Sequence, residues 1–536
     1  MFRSLPSFLP SAPAPLLSRL SSCKPICGYF SGTVRLNDHL DDADADADAD
    51  AFPSINPSTG STLSVFSSPS LEMIDAQLSL SSAAYEKWSS LPVAKRGAIL
   101  HRFGSLVETK YCDELASLIS LDVGIPVNQT VDNHVIPTAA ILKYYGDLAQ
   151  SSLPNPLTKP EVEVASPHLP SEAFVTSRLT PLGVTLGITP WNYPTYSLAS
   201  KLGPSLAVGN AYWEKPSPCS PLPSLLLAEI FTEASDGDFP GLFNVVQGGE
   251  DIAQYLVGHP IIMKTSITGS TRAGRAVLEG SAKNVKPATL ELGGKSPLIV
   301  REDCDLERAL EVTMNGNFFN NGQVCSNCTR VYVEAGIFEE FVGALKQRVE
   351  NLKIGSAADS NTNIGPIVSE KQYESVKGHI DAALKDSKNT LLTGGGAWKR
   401  EGGCYVEPTV FLCDSDDSDI VREEVFGPVV SVLRFHELDD VINRCNASIY
   451  GLGAGIVTRD LPLARSIASR LHCGNVWINS YNGVVPEMMF GGVKMSGFGR
   501  EGGIESLKEW TYSKTVWSEE HKAFNVDNNE DSYFPR

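Results

Sequence analysis

Val184-Thr185-Leu186-Gly187-Ile188-Thr189-Pro190-Trp191-Asn192-Tyr193-Pro194 is a short apolar run closed by a turn rich in proline. Val184–Ile188 reads as a buried strand. Downstream, Ala211–Glu214, Phe243–Val246 and Ile261–Ile267 read as further strands, and Ser224–Glu233, Asp251–Leu256 and Ala273–Ala282 read as helices between them. Short strands alternating with helices predict an α/β protein with a parallel, doubly wound sheet, which binds a nucleotide at the carboxyl ends of its strands. Thr268, Gly269 and Ser270 open a helix at one such strand end, so its N-terminus can face a pyrophosphate.

Working outward, 70–148 reads as helical, with Met73, Gln77, Leu80 and Ala84, then Ile99, Phe103, Leu106 and Leu115, at helix spacing. Five prolines between Pro154 and Pro170 mark an exposed connector. A second alternating block follows Glu291, with Val331–Val333, Phe338–Leu352, Val429–Phe435, Leu463–Leu471 and Val476–Asn479 suggesting another sheet with helices.

Two segments carry chemistry. Phe319-Asn320-Asn321-Gly322-Gln323-Val324-Cys325 supplies a thiol, and Leu290-Glu291-Leu292-Gly293-Gly294-Lys295 supplies a carboxylate; glycines beside both let backbone approach a ligand closely. A thiolate attacks an electrophilic carbonyl, and a carboxylate is a natural base for activating water. A lone cysteine is more often a small buried hydrophobe, and most Glu residues are surface or ion-paired carboxylates. Cys328 makes a Cys-x-x-Cys with Cys325, but no second pair completes a zinc site, so Cys328 reads as structural and no metal is expected. Gly294-Lys295-Ser296 resembles the end of a phosphate loop, yet Thr289 stands where its first glycine belongs.

Pro190-Trp191-Asn192-Tyr193-Pro194, the Glu291 and Cys325 segments, Glu423-Glu424-Val425-Phe426-Gly427-Pro428 and Phe490-Gly491-Gly492 occur in one order along the chain. In these the sequence resembles the NAD(P)-dependent aldehyde dehydrogenases, from about Phe52 to about Trp517. The resemblance implies a Rossmann-like dinucleotide-binding domain (52–156 and 179–291), an α/β catalytic domain (292–493) and small oligomerisation strands (157–178 and 494–517) of a homodimer or homotetramer. It implies that Cys325 attacks an aldehyde to give a thiohemiacetal, which loses hydride to the nicotinamide and becomes a thioester. Glu291 would activate the hydrolytic water. Asn192, whose alternative is a plain turn residue before Pro194, would form an oxyanion hole with the Cys325 N–H.

Thr189, Pro190, Trp191, Leu292, Lys215 and Glu424 match cofactor positions, the last two at the riboses, and Phe426 would pack on the nicotinamide. NAD is the expected cofactor, with NADP possible: three residues after Lys215, where many NAD-preferring members carry Glu, this chain has Pro218.

The segments Lys215-Pro216-Ser217-Pro218, Gly241 to Gly249 and Asn479-Ser480-Tyr481-Asn482 look most like the trimethylaminobutyraldehyde and betaine aldehyde branch. Its substrates carry a cationic amine, which binds over aromatic faces; Tyr193, Phe319, Tyr481 and Phe490 are the candidate lining. Met488-Met489 departs from the usual lead-in to Phe490. A general aliphatic or semialdehyde dehydrogenase is the alternative. A thiol-resolved, CoA-acylating member is disfavoured by Glu291, and a silent binding protein by the intact Cys325, Glu291 and Asn192.

The 536-residue chain has a net charge of −19, which argues against nucleic acid as a partner. No apolar run reaches the roughly eighteen residues a membrane helix needs. Eleven cysteines without a framework spacing indicate reduced thiols. Residues 1–35 carry Arg3, Arg19, Lys24 and Arg35 among Ser and Pro with no acidic residue, which fits a transit peptide, mitochondrial first and plastid second. Gly28-Tyr29-Phe30-Ser31 is the expected processing region; an untargeted tail and a cytoplasmic enzyme are the alternative. Residues 36–51 read as an acidic low-complexity linker, and 518–536 as a tail.

Overall fold

The expected parallel sheet forms around Val184–Thr189. Its central strands lie in the order Ala288–Glu291, Ile262–Thr268, Val184–Thr189, Ala211–Pro216 and Phe243–Val246, all parallel. Chain order climbs away from Val184–Thr189 on both sides, so it reverses between that strand and Ile262–Thr268. Ligand crevices in open α/β sheets lie outside the carboxyl ends of strands at such a reversal, and Thr189 and Thr268 are the residues that end these two. The computed structural model describes Leu16, Ile26–Phe30, Thr33–Leu36 and residues 51–170 and 173–519. Most of the expected leader, nearly all of the acidic linker and the tail after 519 lie outside the described residues.

One expected boundary cuts through this sheet. Ile26–Phe30, which holds most of the expected processing region, is a strand between Phe243–Val246 and Thr62–Phe66. Phe30 is fully buried with its ring 5.7 Å from that of Trp213, and the Tyr29 hydroxyl lies 2.8 Å from Thr232 Oγ1. A short strand free of acidic residues reads like the end of a basic leader, because composition carries no pairing information.

Helices flank the sheet. Ser70 caps Leu71–Ser89 by accepting from the Met73 N–H. The stripe it buries is Ile74, Leu78, Ser81, Ala84 and Trp88 rather than the expected Met73, Gln77, Leu80 and Ala84; Leu80 is half exposed. Most of the expected stripe sits one position early, since two rows at helix spacing compete and Trp88, whose indole donates to Leu206 O, decides between them. Pro194–Val208, just after the opening motif, is a helix that the sequence reading passes over. It is buried on every side and carries Pro204, so it shows neither the polar face nor the period by which a surface helix is recognised.

From Glu291 the chain crosses directly to Pro297–Val300 in a seven-stranded sheet, ordered Asn389–Thr393, Thr409–Cys413, Val429–Phe435, Arg330–Glu334, Pro297–Val300, Gly453–Val457 and Asn475–Ile478. A third sheet joins Glu161–Glu163, Ala173–Pro181 and Thr511–Glu519, antiparallel and largely exposed. The expected arm segment 494–517 is therefore divided: Gly497–Phe498 pairs with Ala288–Glu291, and Leu507 and Trp510 are buried in the first core. Among the described residues no helix is long and apolar enough to cross a membrane.

Candidate active site

The crossing from one sheet to the other creates the site. Leu292-Gly293-Gly294 spans the gap, and a Cβ on Gly293 would stand 2.1 Å from the Glu424 carboxylate, one on Gly294 2.6 Å from the Cys325 carbonyl oxygen. Only glycine lets both approach, and Glu424 uses the space to accept the Gly294 N–H at 3.0 Å. Burial lifts the Glu424 carboxyl to about 7, against the pull of that N–H and of Lys295.

Cys325 follows a turn in which Asn320, Asn321 and Gly322 have φ of 54°, 57° and 72° in succession. Asn tolerates this left-handed backbone better than other side-chain-bearing residues, and here both amides are put to use. Asn321 accepts the Gly365 N–H at 2.6 Å and donates to Gly124 O and Pro366 O, tying the turn to both domains. Asn320 donates to Asn192 O at 3.1 Å, and its own N–H reaches Gln129 Oε1 at 3.0 Å. Asn192 donates one amide hydrogen to Gln323 O at 2.8 Å, which leaves the second for a ligand. The Tyr481 hydroxyl donates to Ser326 O at 2.9 Å, holding the chain on the far side of the thiol. Cys328 is fully buried against Asn317 and Gly316, as a packing residue would be.

Cys325, Glu291, Asn192, Leu292 and Thr268 line one cavity of about 580 Å³, together with Tyr193, Phe319, Tyr481 and Phe490. Burial pushes the Cys325 thiol up to about 12, aided by the nearby Glu424 and Glu291 charges. Both Glu291 carboxylate oxygens are buried without a hydrogen-bond partner among the described residues. Burial and the Glu501 charge hold that carboxyl well above the ordinary range, while Lys201 and Arg500 pull it down. The arrangement suits proton transfer at neutral pH better than a solvated carboxylate would.

Sequence reasoning missed three contributors. Lys201, fully buried on the unrecognised helix, lies 2.5 Å from both Glu501 Oε1 and Thr268 Oγ1. Glu501 also lines the cavity. Asp132 stands at the mouth on a π-helical turn, Val131–Val135, whose His134 stacks on Tyr193 at 4.6 Å. No local pattern announces these residues; each matters only through what the fold brings beside it.

The remaining cofactor candidates follow the carboxyl edge of the first sheet and the facing loop of the second. Thr189 turns its hydroxyl inward to Glu214, leaving only its backbone for a ligand. Lys215 is buried, donates to Pro216 O at 3.1 Å, and has its ammonium pushed down to about 8 by burial, with Glu214 and Asp251 pulling it back. Ser270 caps Thr271–Ala282 through the Ala273 N–H, while Gly269 has open space around its Cβ direction, with no atom nearer than 3.8 Å. Leu292 fills the notch at Gly274, where a Cβ would lie 2.6 Å from it. Pro190 leads into Trp191, whose ring meets that of Phe426 edge-on at 5.2 Å. Phe426 has φ of 55°, a strained value for an aromatic, and its carbonyl accepts from Gln372 Nε2 at 3.0 Å. An open helix N-terminus, a buried lysine and a half-buried carboxylate fit a dinucleotide's pyrophosphate and two riboses.

Comparison with known proteins agrees with this geometry. Residues 44–516 match the aldehyde dehydrogenase family. A betaine aldehyde dehydrogenase from Mesorhizobium japonicum is 41% identical over 470 residues, covering 87% of this chain and 93% of that protein. The structure of a Bacillus cereus aldehyde dehydrogenase in complex with NAD+ superposes with a TM-score of 0.86 at 35% identity, covering 94% of this chain and 98% of that one. A gamma-glutamyl-gamma-aminobutyraldehyde dehydrogenase from Burkholderia cenocepacia gives 0.85 at 31% identity, covering 94% and 97%. With a half-buried thiol and a buried carboxylate meeting between two α/β sheets, the chain belongs to the aldehyde dehydrogenase family.

Proposed function

We propose that this NAD-dependent aldehyde dehydrogenase oxidises aldehydes carrying a positively charged amine or quaternary ammonium group to their acids. The lining of the cavity carries this reading. Tyr193, Tyr196, Phe319, Tyr481 and Phe490 offer aromatic faces, Asp132 adds a carboxylate at the mouth, and no Lys, Arg or His lines it among the described residues. Aromatic faces and a carboxylate attract a cation, while a substrate carboxylate would meet no counter-charge. The betaine aldehyde dehydrogenase relative supports the same class.

In the proposed mechanism the Cys325 thiol passes its proton to solvent water and the thiolate sulfur attacks the aldehyde carbon, giving a thiohemiacetal. Its oxyanion is held by the free Asn192 amide hydrogen and the Cys325 N–H. Lys215, Glu424, Phe426 and the N-terminus of Thr271–Ala282 would hold NAD, which would supply the hydride acceptor for the thiohemiacetal carbon. Glu291 then draws a proton from water, which attacks the thioester carbon and expels the thiolate. Lys201 and Glu501 sit where that proton can pass onward. The exposed apolar side chains of the three-stranded arm, Val162, Phe174, Val516 and Trp517 among them, support a homo-oligomer.

The test is NADH formation with betaine aldehyde, 4-trimethylaminobutyraldehyde, a primary aminoaldehyde, an uncharged alkanal and a carboxylate semialdehyde. Cationic substrates should show the highest kcat/KM. A lead for the alkanal or the semialdehyde rejects this substrate class and leaves the chemistry standing.

A further inference from the structure

The absence of a carboxylate at Pro218 leaves open what reads the adenosine ribose. Lys215 marks that end of the cleft, on the strand Ala211–Pro216. The neighbouring parallel strand, Phe243–Val246, is in register with it through Glu214 and Val245, so the two end side by side. After a three-residue loop the helix Glu250–Gly258 begins, and its first turn carries two carboxylates, Glu250 and Asp251.

These two carboxylates are not equivalent. Glu250 is paired with Arg272 at 3.1 Å. Asp251 is exposed and makes no hydrogen bond or ion pair among the described residues. Its Oδ1 lies 3.0 Å from where a Cβ on Gly249 would stand, so the carboxylate turns back over the loop that leads from the strand end. Its charge is felt at Lys215, where it counters part of the effect of burial on the ammonium.

We propose that Asp251 stands in for the missing acidic residue, accepting hydrogen bonds from the adenosine ribose hydroxyls of NAD and repelling the 2′-phosphate of NADP. A carboxylate accepts from a vicinal diol but meets a phosphate as a like charge. Because Asp251 is solvent-exposed, the expected discrimination is about tenfold rather than absolute. The inference rests on the cofactor cleft described above and is independent of the aldehyde.

Dissociation constants for NAD and NADP, measured by quenching of protein fluorescence without aldehyde, test it in the wild type, Asp251→Asn, Glu250→Gln and Pro218→Glu, with melting temperatures confirming that each variant is folded. Wild type should bind NAD more tightly than NADP. Asp251→Asn should tighten NADP and weaken NAD, reducing their ratio by about tenfold; Glu250→Gln should leave the ratio within twofold, and Pro218→Glu should widen it. A ratio unmoved in Asp251→Asn, or moved equally by Glu250→Gln, overturns the assignment while the cleft stands. Failure of the wild type to bind either dinucleotide overturns the cleft as well.

Discussion

The floor of the cavity and its mouth are built in opposite ways. At the floor, Asn192, Asn320, Asn321 and Tyr481 each spend side-chain groups on backbone carbonyls or amides of other segments. The thiol inherits its position from that network. At the mouth, Asp132 is exposed, and Tyr193, Phe319 and Phe490 line the cavity with aromatic side chains. Chemistry depends on placement, which a satisfied network over-determines; selectivity depends on faces left free to meet a ligand. Changes at the floor should therefore alter turnover and stability together, and changes at the mouth should alter KM alone.

The strongest test removes the nucleophile. Cys325→Ala should reduce aldehyde-dependent NADH formation to the level of a blank while NAD still quenches protein fluorescence; turnover above a few per cent of wild type would place the nucleophile elsewhere.

Protonation at the floor comes next. Burial raises the pKa of both Cys325 and Glu291, and both act in their deprotonated forms. Activity should rise with pH through the alkaline range. Glu291→Gln should slow turnover by about a hundredfold or more. The same change deletes a negative neighbour that helps keep the thiol protonated, so alkylation of Cys325 by iodoacetamide should shift to lower pH. An unmoved alkylation profile would separate the two groups.

A structural change at the floor should be felt more moderately. Asn321→Ala loses the Gly365, Gly124 and Pro366 bonds and puts alanine at φ of 57°. The expected loss is roughly 2–4 kcal/mol of stability, read as a lower Tm, with kcat falling too. An unchanged Tm would mean that the turn is held by other contacts.

The smallest effect belongs to the mouth. Asp132→Asn should raise KM for a trimethylammonio aldehyde by about three- to tenfold, leave kcat and Tm in place, and leave an uncharged alkanal unaffected. Equal effects on both substrates would make Asp132 a structural residue and erase the contrast between floor and mouth.

The same contrast governs what could be read in the chain. The doubly wound sheet was legible because buried parallel strands read as short continuous apolar runs, as at Phe243–Val246, and amphipathic helices carry a period of about 3.6 residues, as at Thr271–Ala282. Pro194–Val208 escaped because burial on all sides removes the period. Ile26–Phe30 lies within the expected leader and yet pairs in the sheet, because a strand at the end of a basic stretch is defined by its partners. The faces of Leu71–Ser89 were assigned to the wrong row because only packing of Trp88 chooses between two neighbouring stripes.

By itself, the sequence determined the family, and it singled out the thiol and carboxylate that line one cavity and the capped helix at a strand end. These are local: a turn that needs Asn-Asn-Gly, a crossing that needs Gly-Gly, a capped helix after a strand. Tertiary structure alone decided that Lys201 and Glu501 adjoin Glu291, that Asp132 guards the mouth, and that Asp251 stands near Lys215. Those pairings join residues tens to hundreds of positions apart, and a carboxylate takes its role from what the folded chain sets beside it.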